Sequence, residues 1–376
     1  MNSPRRAKIF PPKSYYLYFA KKCSMAQGAP GSAPLFTRNL VADLEKCLSE
    51  FSGCRLFLLT DENVNRLWVD REPVWERFPR WVLPPGEEHK QLESVTAVWD
   101  FLGREGADRS SLLLNVGGGM VTDLGGFAAS TFKRGLRFIN LPTTLLAQVD
   151  ASVGGKTGFN YNGLKNEIGT FALPRAVLIR PAFLRTLDIS GFLSGFAEMI
   201  KHGLIHSPAH LEALKSCGPA CRDDEETLTA LIAESVAVKS HFIEADPGET
   251  GIRKALNFGH TVGHALESLA LGRGQSLQHG YAVAWGMVAE LFLSSLRTGY
   301  PQKETKEHAR WIRQLYGEPP LEEKAYELLF ERMLHDKKNE SGRIRFTLLA
   351  ATGRCLINQE CSKSDIFRAL DYLRTL

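Results

Sequence analysis

The 376-residue chain lacks a hydrophobic run long enough to cross a membrane. A run of about eighteen or more apolar residues would indicate a transmembrane helix, and none occurs. Apolar residues make up 44% of the chain and aromatic residues 10%, which is typical of a soluble globular protein. Because one hydrophobic core seldom grows to this length, the sequence predicts two domains.

Acidic side chains are missing from the first forty residues, which carry seven Lys and Arg. The whole chain has a formal net charge of +4, so the remainder carries −3 and a broad nucleic-acid-binding face is not indicated. The same region holds Pro11-Pro12 and a run of Gly, Ala, Ser and Pro from Gly28 to Pro34. We predict a basic, disordered extension over residues 1–35; a targeting segment and a true start at Met25 remain alternatives.

Cysteine patterns typical of disulfide frameworks or zinc knuckles are also missing. The seven cysteines are scattered and odd in number, and Cys217 and Cys221 do not have Cys-x-x-Cys spacing. The sequence therefore predicts free thiols in a reducing compartment, which points to the cytoplasm.

The two halves of the chain differ in their hydrophobic patterns. Short apolar runs at 55–60, 112–116, 138–141 and 176–179 alternate with glycine-rich turns, which predicts a largely parallel α/β domain over 36–190. Amphipathic stretches dominate the rest and predict a helical domain over 191–376. These stretches are 192–206, 224–245, 258–272, 279–298, 303–316 and 321–335.

The usual nucleotide-binding fingerprints are absent. Three glycines at 117–119 follow a predicted strand, which suits close approach to a phosphate or a tight turn, but they do not form Gly-x-Gly-x-x-Gly. Gly155-Lys156-Thr157 is not a P-loop, because Asp150 stands where that motif needs its first glycine.

Three histidines lie close together in the sequence: His260, His264 and His279. The spacing of the first two places both rings on one helical face, but no glutamate follows His260 to make His-Glu-x-x-His. Glu198 lies in an apolar stretch beside Lys201, and a buried carboxylate needs a cation or a metal. Glu198, His260 and His279 would give three ligands and an open position, as in a catalytic zinc site. A structural role for the helical histidines remains the alternative.

Basic and amide side chains accompany this region and favour a substrate with several negative charges. They are Lys156, Lys165, Asn166, Lys239, Arg253, Asn257 and the pair Lys337-Lys338.

Nine motifs in one order make the chain resemble the sugar-phosphate cyclase family that includes 3-dehydroquinate synthase. They are Gly117-Gly118-Gly119 with Asp123-Leu124-Gly125-Gly126; Lys133-Arg134-Gly135; Pro142-Thr143-Thr144; Asp150 to Lys156; Lys165-Asn166-Glu167-Ile168-Gly169; Ala197-Glu198-Met199-Ile200-Lys201; Asn257 to His264; His279-Gly280; and Asp336-Lys337-Lys338. The resemblance covers residues 55–355, and nine ordered motifs are far more specific than any one of them.

The resemblance implies an α/β N-terminal nucleotide-binding domain for NAD and an all-helical C-terminal metal-binding domain for zinc, or cobalt in its place. The implied zinc ligands are Glu198, His260 and His279. The implied NAD-binding residues are Asp61, Asn63, Glu87, Lys90, Gly118, Gly119, Asp123, Thr143, Thr144, Asp150, Lys165 and Thr186.

The resemblance also implies the substrate 3-deoxy-D-arabino-heptulosonate 7-phosphate and a homodimer. The implied phosphate contacts are Lys156, Asn166, Asn257, His264, Lys338 and, from across the dimer, Arg134. Lys239 and Arg253 would meet the substrate carboxylate, and Lys201 is counted with this catalytic group.

The implied reaction is a phosphate-eliminating cyclisation in the shikimate pathway. NAD takes a hydride transiently, phosphate leaves, the hydride returns, and aldol closure gives 3-dehydroquinate, so NAD is regenerated. Three alternatives stay open: a cyclase for another heptulose phosphate such as sedoheptulose 7-phosphate, a metal-dependent polyol dehydrogenase, and an inactive binding homologue.

One stretch departs from the family pattern. Members commonly have Leu-Pro-x-Arg-Glu just after the position of Thr186, whereas this chain reads Leu187-Asp188-Ile189-Ser190-Gly191. An interdomain or cofactor contact is therefore in question, but the implied zinc ligands are not.

Overall fold

In the computed structural model, residues 34–162, 164–334 and 343–376 are described. The predicted disordered extension therefore lies almost wholly outside the described residues, and so does Lys338. Six cysteines fall within these ranges, and all six are free thiols as predicted. No helix in the described ranges is long and apolar enough to cross a bilayer.

The apolar runs of the N-terminal half form a parallel sheet. Within the described ranges the strands are β1 (Leu35–Phe36), β2 (Leu56–Asp61), β3 (Arg80–Leu83), β4 (Leu112–Gly117), β5 (Arg137–Pro142), β6 (Lys156–Tyr161), β7 (Leu164–Phe171), β8 (Ala176–Ile179), β9 (Arg345–Ala351) and β10 (Arg354–Glu360). Six of them lie side by side in the order β1-β8-β5-β4-β2-β3, and every pairing is parallel. The four predicted strands are thus confirmed as β2, β4, β5 and β8.

Helices surround this sheet and form most of the C-terminal half. They are α1 (Leu40–Ser49), α2 (Leu92–Arg104), α3 (Gly119–Thr131), α4 (Ile189–Ile205), α5 (Pro208–Cys217), α6 (Glu225–Ala245), α7 (His260–Gly272), α8 (His279–Arg297), α9 (Gln302–Tyr316), α10 (Tyr326–Leu334) and α11 (Lys363–Thr375). Short helical turns occur at Glu62–Val64, Asn65–Val69, Pro73–Trp75, Glu87–His89, Phe132–Arg134, Ala147–Ala151, Pro181–Thr186, Gly218–Asp223, Ile252–Asn257 and Glu323–Ala325.

Both faces of the sheet are buried, which explains why its strands read as continuous apolar runs. Leu58 packs in a cluster with Leu44 of α1, whereas its neighbours Phe57 and Leu59 pack on the other face with Val98 of α2. A third apolar cluster joins the helical half to the 145–153 segment, so the two halves share a buried boundary.

The C-terminal half is helical as predicted, with one exception to an all-helical domain. The apolar run 344–349 contributes to β9, which pairs with β10 in an antiparallel hairpin. This hairpin packs on the helices, because Phe346, Leu348 and Leu349 belong to the same buried cluster.

The close approach of α7 and α8 depends on glycine. A Cβ atom at Gly286 would lie 1.9 Å from the Gly259 carbonyl oxygen, and one at Gly263 would lie 3.0 Å from the Ala282 carbonyl oxygen. Real Cβ atoms do not come as close to backbone as the first distance. The two helices therefore touch along their backbones, and the rings of their first residues, His260 and His279, lie 5.3 Å apart between centroids.

We predict that Gly286→Ala destabilises the protein by roughly 1–3 kcal/mol or more, because the added methyl group forces α7 and α8 apart. Urea denaturation measures the change. Gly103→Ala on α2 is the matched control: nothing lies within 4 Å of its Cβ position, so it should be neutral or stabilising. Equal stability of Gly286→Ala and the parent protein would contradict the packing argument.

Candidate active site

The glycines and threonines predicted to bind a nucleotide lie at the carboxyl edge of the parallel sheet. Gly117 ends β4 opposite Pro142 at the end of β5, and the Thr143 backbone N–H donates to the Gly117 carbonyl at 2.9 Å. A Cβ at Gly118 would lie 3.0 Å from the Thr144 methyl carbon, so the two turns leave no room for a side chain. Helix α3 begins at Gly119 and presents unpaired amides at this edge, where α/β sheets bind nucleotides.

The other predicted cofactor residues of β2 and β8 lie at the same edge. Asp61 ends β2 and accepts a hydrogen bond from the Val64 N–H at 3.0 Å, with Asn63 in the turn between them. Thr186 follows β8 and accepts a hydrogen bond from Trp68 Nε1 at 2.9 Å. The edge thus gathers residues that are more than a hundred positions apart in the chain.

Lys90 joins this edge to the β6–β7 hairpin. Its ammonium group is buried and donates to Asp123 Oδ2 at 2.6 Å and to Asn166 Oδ1 at 2.5 Å. Burial alone would lower the pKa of Lys90, but the Asp123 carboxylate outweighs it and raises the pKa, so Lys90 stays charged. Glu87 accepts a hydrogen bond from Asn160 of β6, which holds the hairpin in place.

A second set of side chains lies between α4, α7 and α8. Glu198, His260 and His279, here called the candidate metal group, each offer a ligand atom within 4.8 Å of the others. Glu198 is fully buried, and its Oε1 atom lies 3.6 Å from His260 Nε2 and 3.5 Å from His279 Nε2.

The donor set of the candidate metal group fits zinc. The two separations are too long for hydrogen bonds, and Glu198 Oε1 has no hydrogen-bond partner among the described residues. Two ligand atoms on one tetrahedral zinc at its usual bond lengths stand roughly 3.3–3.6 Å apart. His260 Nδ1 lies 3.2 Å from the Phe258 carbonyl oxygen, an arrangement that leaves Nε2 to bind metal.

Charged groups near the candidate metal group are buried in pairs. Lys201 contacts Glu198, and Lys239 Nζ donates to Asp150 Oδ1 at 2.6 Å. Burial alone would raise the pKa of the Glu198 carboxyl, but the Lys201 ammonium and His279 together outweigh it and lower that pKa. Asp150, predicted with the cofactor residues, also lies within 4.8 Å of ligand atoms of Glu198 and His202. It therefore connects the sheet edge to the helical half.

Three predicted substrate residues, two cations and an amide, lie near a carboxylate that sequence reasoning missed. Lys156 pairs with Glu249, which also accepts a hydrogen bond from Asn257 Nδ2 at 3.1 Å. Arg253 donates to the Gly154 carbonyl at 3.2 Å, two residues before Lys156. Burial lowers the pKa of Lys156 to about 8, although Glu249 opposes the shift.

His264 lies beside the candidate metal group, one turn along α7 from His260. Its ring centroid is 5.2 Å from that of His260 and 6.0 Å from that of His279. Arg134 is not brought to this place, because it lies beyond the far end of α3. Lys338 is outside the described residues.

The stretch that departs from the family pattern starts a helix. Asp188 caps the N-terminus of α4 by accepting from the Gly191 N–H at 2.8 Å. Ser190 accepts a hydrogen bond from Gln278 at 2.8 Å, directly before His279. The departure therefore supplies a helix cap and a contact between α4 and the start of α8.

Two buried carboxylates beside the candidate metal group were also missed by sequence reasoning. Glu267 on α7 lies 3.1 Å from His279 Nδ1, and Glu290 on α8 accepts hydrogen bonds from the Gly259 and Thr261 N–H groups at the start of α7. Glu267 could have been found, because it stands three residues after His264 on the same helix. Glu290 gives no local signal, since it acts on a different helix.

Comparison with known proteins places the chain among enzymes of related fold. A family model described as 3-dehydroquinate synthase N-terminal matches residues 80–194, and one described as 3-dehydroquinate synthase C-terminal matches residues 195–339. A Parabacteroides distasonis protein named 3-dehydroquinate synthase is 46% identical over 345 residues, which cover 90% of this chain and 96% of that protein. One of the same name from Salinibacter ruber is 42% identical over 330 residues, covering 85% and 88%.

Solved structures show the same fold at lower identity. The 2-epi-5-epi-valiolone synthase ValA from Streptomyces hygroscopicus subsp. jinggangensis, solved with NAD+ and Zn2+ bound, has a TM-score of 0.82 at 24% identity, covering 93% of this chain and 98% of that one. The NADH-dependent butanol dehydrogenase A from Thermotoga maritima has a TM-score of 0.65 at 14% identity, with the same coverage.

We predict that His260→Ala loses zinc, whereas His264→Ala keeps it, because His260 belongs to the candidate metal group and faces Glu198 Oε1 with Nε2. The loss of zinc affinity in His260→Ala should exceed the roughly 10- to 100-fold loss that follows removal of a residue that only hydrogen-bonds to a ligand. Zinc content after dialysis against a chelator measures both variants. Full zinc content in His260→Ala would remove this residue from the ligand set.

Proposed function

The chain belongs to the 3-dehydroquinate synthase family, and from this we propose that it converts 3-deoxy-D-arabino-heptulosonate 7-phosphate into 3-dehydroquinate and inorganic phosphate in the shikimate pathway. The strongest structural support is the position of the candidate metal group. It lies beside buried lysines and the sheet edge, which is where a reaction using both a metal and a nucleotide needs it.

We assign NAD to residues 36–190 and zinc to residues 191–376. Gly118, Gly119 and Asp123 line the edge of the sheet where the dinucleotide would lie. Glu198, His260 and His279 would hold zinc, or cobalt in its place. ValA, solved with NAD+ and Zn2+, and a 2-deoxy-scyllo-inosose synthase, solved with NAD+ and Co2+, support these cofactors.

When bound, NAD accepts a hydride and returns it in the same turnover, while zinc polarises the substrate hydroxyl as a Lewis acid. The protein's own residues bind and orient the substrate. Lys156 offsets negative charge on the phosphate, and Asn257 and His264 hold it by hydrogen bonds, which makes it a better leaving group. Asn166 and Lys338 complete this set by resemblance to the family.

The substrate carboxylate distinguishes this reaction from those of other cyclases. Arg253 and Lys239 contact opposite ends of the segment 150–154. Arg253 donates a hydrogen bond to the Gly154 carbonyl, and Lys239 donates to Asp150. Two buried cations suit a carboxylate in addition to a phosphate. A heptulose phosphate without the carboxylate, or a polyol, would leave Arg253 and Lys239 without a substrate anion to bind.

A homodimer would complete the site through Arg134. Helix α3 has 13 residues and is about 20 Å long, so Arg134 beyond its far end cannot reach the cofactor edge of its own subunit. Arg134 is exposed and makes no hydrogen bond or ion pair to any described residue. Beside it, a cleft of about 340 Å³ is lined by Leu136, Phe171 and Leu173, and the last two expose 66% and 46% of their surface. These exposed apolar side chains support the proposal that a second subunit packs here.

Free thiols at all six described cysteines support a cytoplasmic location, because oxidising compartments favour disulfides.

We predict that the purified protein releases inorganic phosphate from 3-deoxy-D-arabino-heptulosonate 7-phosphate, requires NAD and zinc, and accumulates no NADH. Phosphate is measured colorimetrically and NADH by its absorbance in the same reaction. The matched control is sedoheptulose 7-phosphate, which lacks the carboxylate and should react poorly.

Each alternative gives a different result in this assay. Phosphate release from sedoheptulose 7-phosphate alone would favour another cyclase. Net NADH from glycerol without phosphate release would favour a polyol dehydrogenase. Release from neither sugar would favour a binding protein without catalytic activity.

We predict that Arg134→Ala and His260→Ala subunits complement each other in mixed dimers. Each mixed dimer has one site with both native residues, so random co-assembly should restore about a quarter of the parent activity. Co-expression with two affinity tags gives the mixture, and each variant alone is the control. Activity no greater than the sum of the two variants would contradict a contribution of Arg134 across the interface.

A further inference from the structure

Glu267 is a buried carboxylate that touches one residue from each half of the protein. Only 2% of its side chain is exposed. Its Oε2 atom lies 3.1 Å from His279 Nδ1, and its Oε1 atom accepts a hydrogen bond from Lys165 Nζ at 2.6 Å. A carboxylate at this depth needs partners on both oxygens, and these two residues supply them.

The two nitrogens of His279 face two different carboxylates. Nε2 is directed to Glu198 Oε1 at 3.5 Å, beyond hydrogen-bond distance, whereas Nδ1 is within hydrogen-bond distance of Glu267. A carboxylate next to Nδ1 favours the tautomer in which Nδ1 carries the proton. That tautomer leaves the lone pair of Nε2 directed toward the candidate metal group.

Lys165 connects the same carboxylate to the nucleotide-binding half. Lys165 lies on β7, and the next residue of that strand, Asn166, accepts a hydrogen bond from Lys90. Lys90 in turn pairs with Asp123. Glu267 therefore stands between the hairpin at the sheet edge and the first residue of α8. This contact crosses from one half of the chain to the other.

We propose that Glu267 is a positioning residue that fixes the tautomer and ring orientation of His279 and ties the β6–β7 hairpin to the metal-binding helices. The inference rests on the proposed function, because it takes zinc as the ion that the candidate metal group holds. Carboxylate partners of this type make histidine a better ligand, and their loss typically weakens metal binding by about 10- to 100-fold.

Glu267→Gln tests the proposal with little change of shape. Because the Lys165 ammonium favours the amide oxygen, the amide NH2 group turns toward His279 Nδ1 and selects the opposite tautomer. Nε2 then carries the proton and is a poorer ligand. Lys165→Met is the complementary variant, since it removes the second partner and leaves the carboxylate next to His279.

The experiment measures the zinc dissociation constant of the full chain by chelator competition, without NAD or substrate. Glu267→Gln should weaken zinc binding by about 10- to 100-fold. Lys165→Met and the exposed, charge-matched control Glu93→Gln should keep the parent affinity. Unfolding midpoints measured in chelator report how much stability each variant loses in the metal-free protein, separately from its zinc affinity. The visible spectrum of saturated cobalt protein should stay the same, because the ligands themselves are unchanged.

The outcomes separate the positioning role from others. If the parent protein binds zinc and Glu267→Gln binds it equally tightly, this inference alone would be overturned. An equal loss in Lys165→Met would assign the effect to the contact between the two halves and overturn the tautomer role. A changed cobalt spectrum in Glu267→Gln would make Glu267 a direct ligand, since His264, Glu267 and His279 also offer atoms within 4.8 Å of one another. Failure of the parent protein to bind zinc would overturn both this inference and the proposed metal.

Discussion

The backbone contact between α7 and α8 is the constraint on which the candidate metal group depends. Gly286 lies so close to the Gly259 carbonyl that no side chain fits between them. Because each helix begins with a histidine, this contact sets the distance between His260 and His279. The two helices also hold each other's ends: Glu290 of α8 binds amides at the start of α7, and Glu267 of α7 lies against the first residue of α8. A rigid pair of helices can thus present two ligands before any ion binds.

Burial of charge is the second feature of the site. Lys90, Lys201, Lys239, Glu198 and Glu267 are all buried, and each lies within contact distance of an opposite charge. Removing such groups from water is costly, so an unpaired member would destabilise the fold. Glu198 differs from the others, because its Oε1 faces two imidazoles at distances too long for hydrogen bonds. A divalent cation at this point would compensate the carboxylate and connect all three side chains.

Much of the fold could be predicted from the sequence, because local patterns record burial. The apolar runs at 112–116 and 138–141 became central strands, and the long amphipathic stretches became α4 and α6 to α10. Short or polar elements left weaker traces. β1 and β3 were not predicted, since each is short and pairs with a strand distant in the chain. The β6–β7 hairpin was not predicted because its strands are rich in polar residues and glycine. The terminal helix α11 was also missed within a stretch of mixed composition.

The sequence by itself determined the family, the different hydrophobic patterns of the two halves of the chain, and the residues from which a site could be built. The i, i+4 pair His260 and His264 marked the right helix, but spacing alone could not separate a ligand from a neighbour. Only the tertiary structure decided that His279 Nε2 faces Glu198 beside His260, that Asp150 reaches Lys239, and that Glu267 joins Lys165 to His279. Ligand geometry depends on where whole helices pack, and that is set by contacts between residues far apart in the chain.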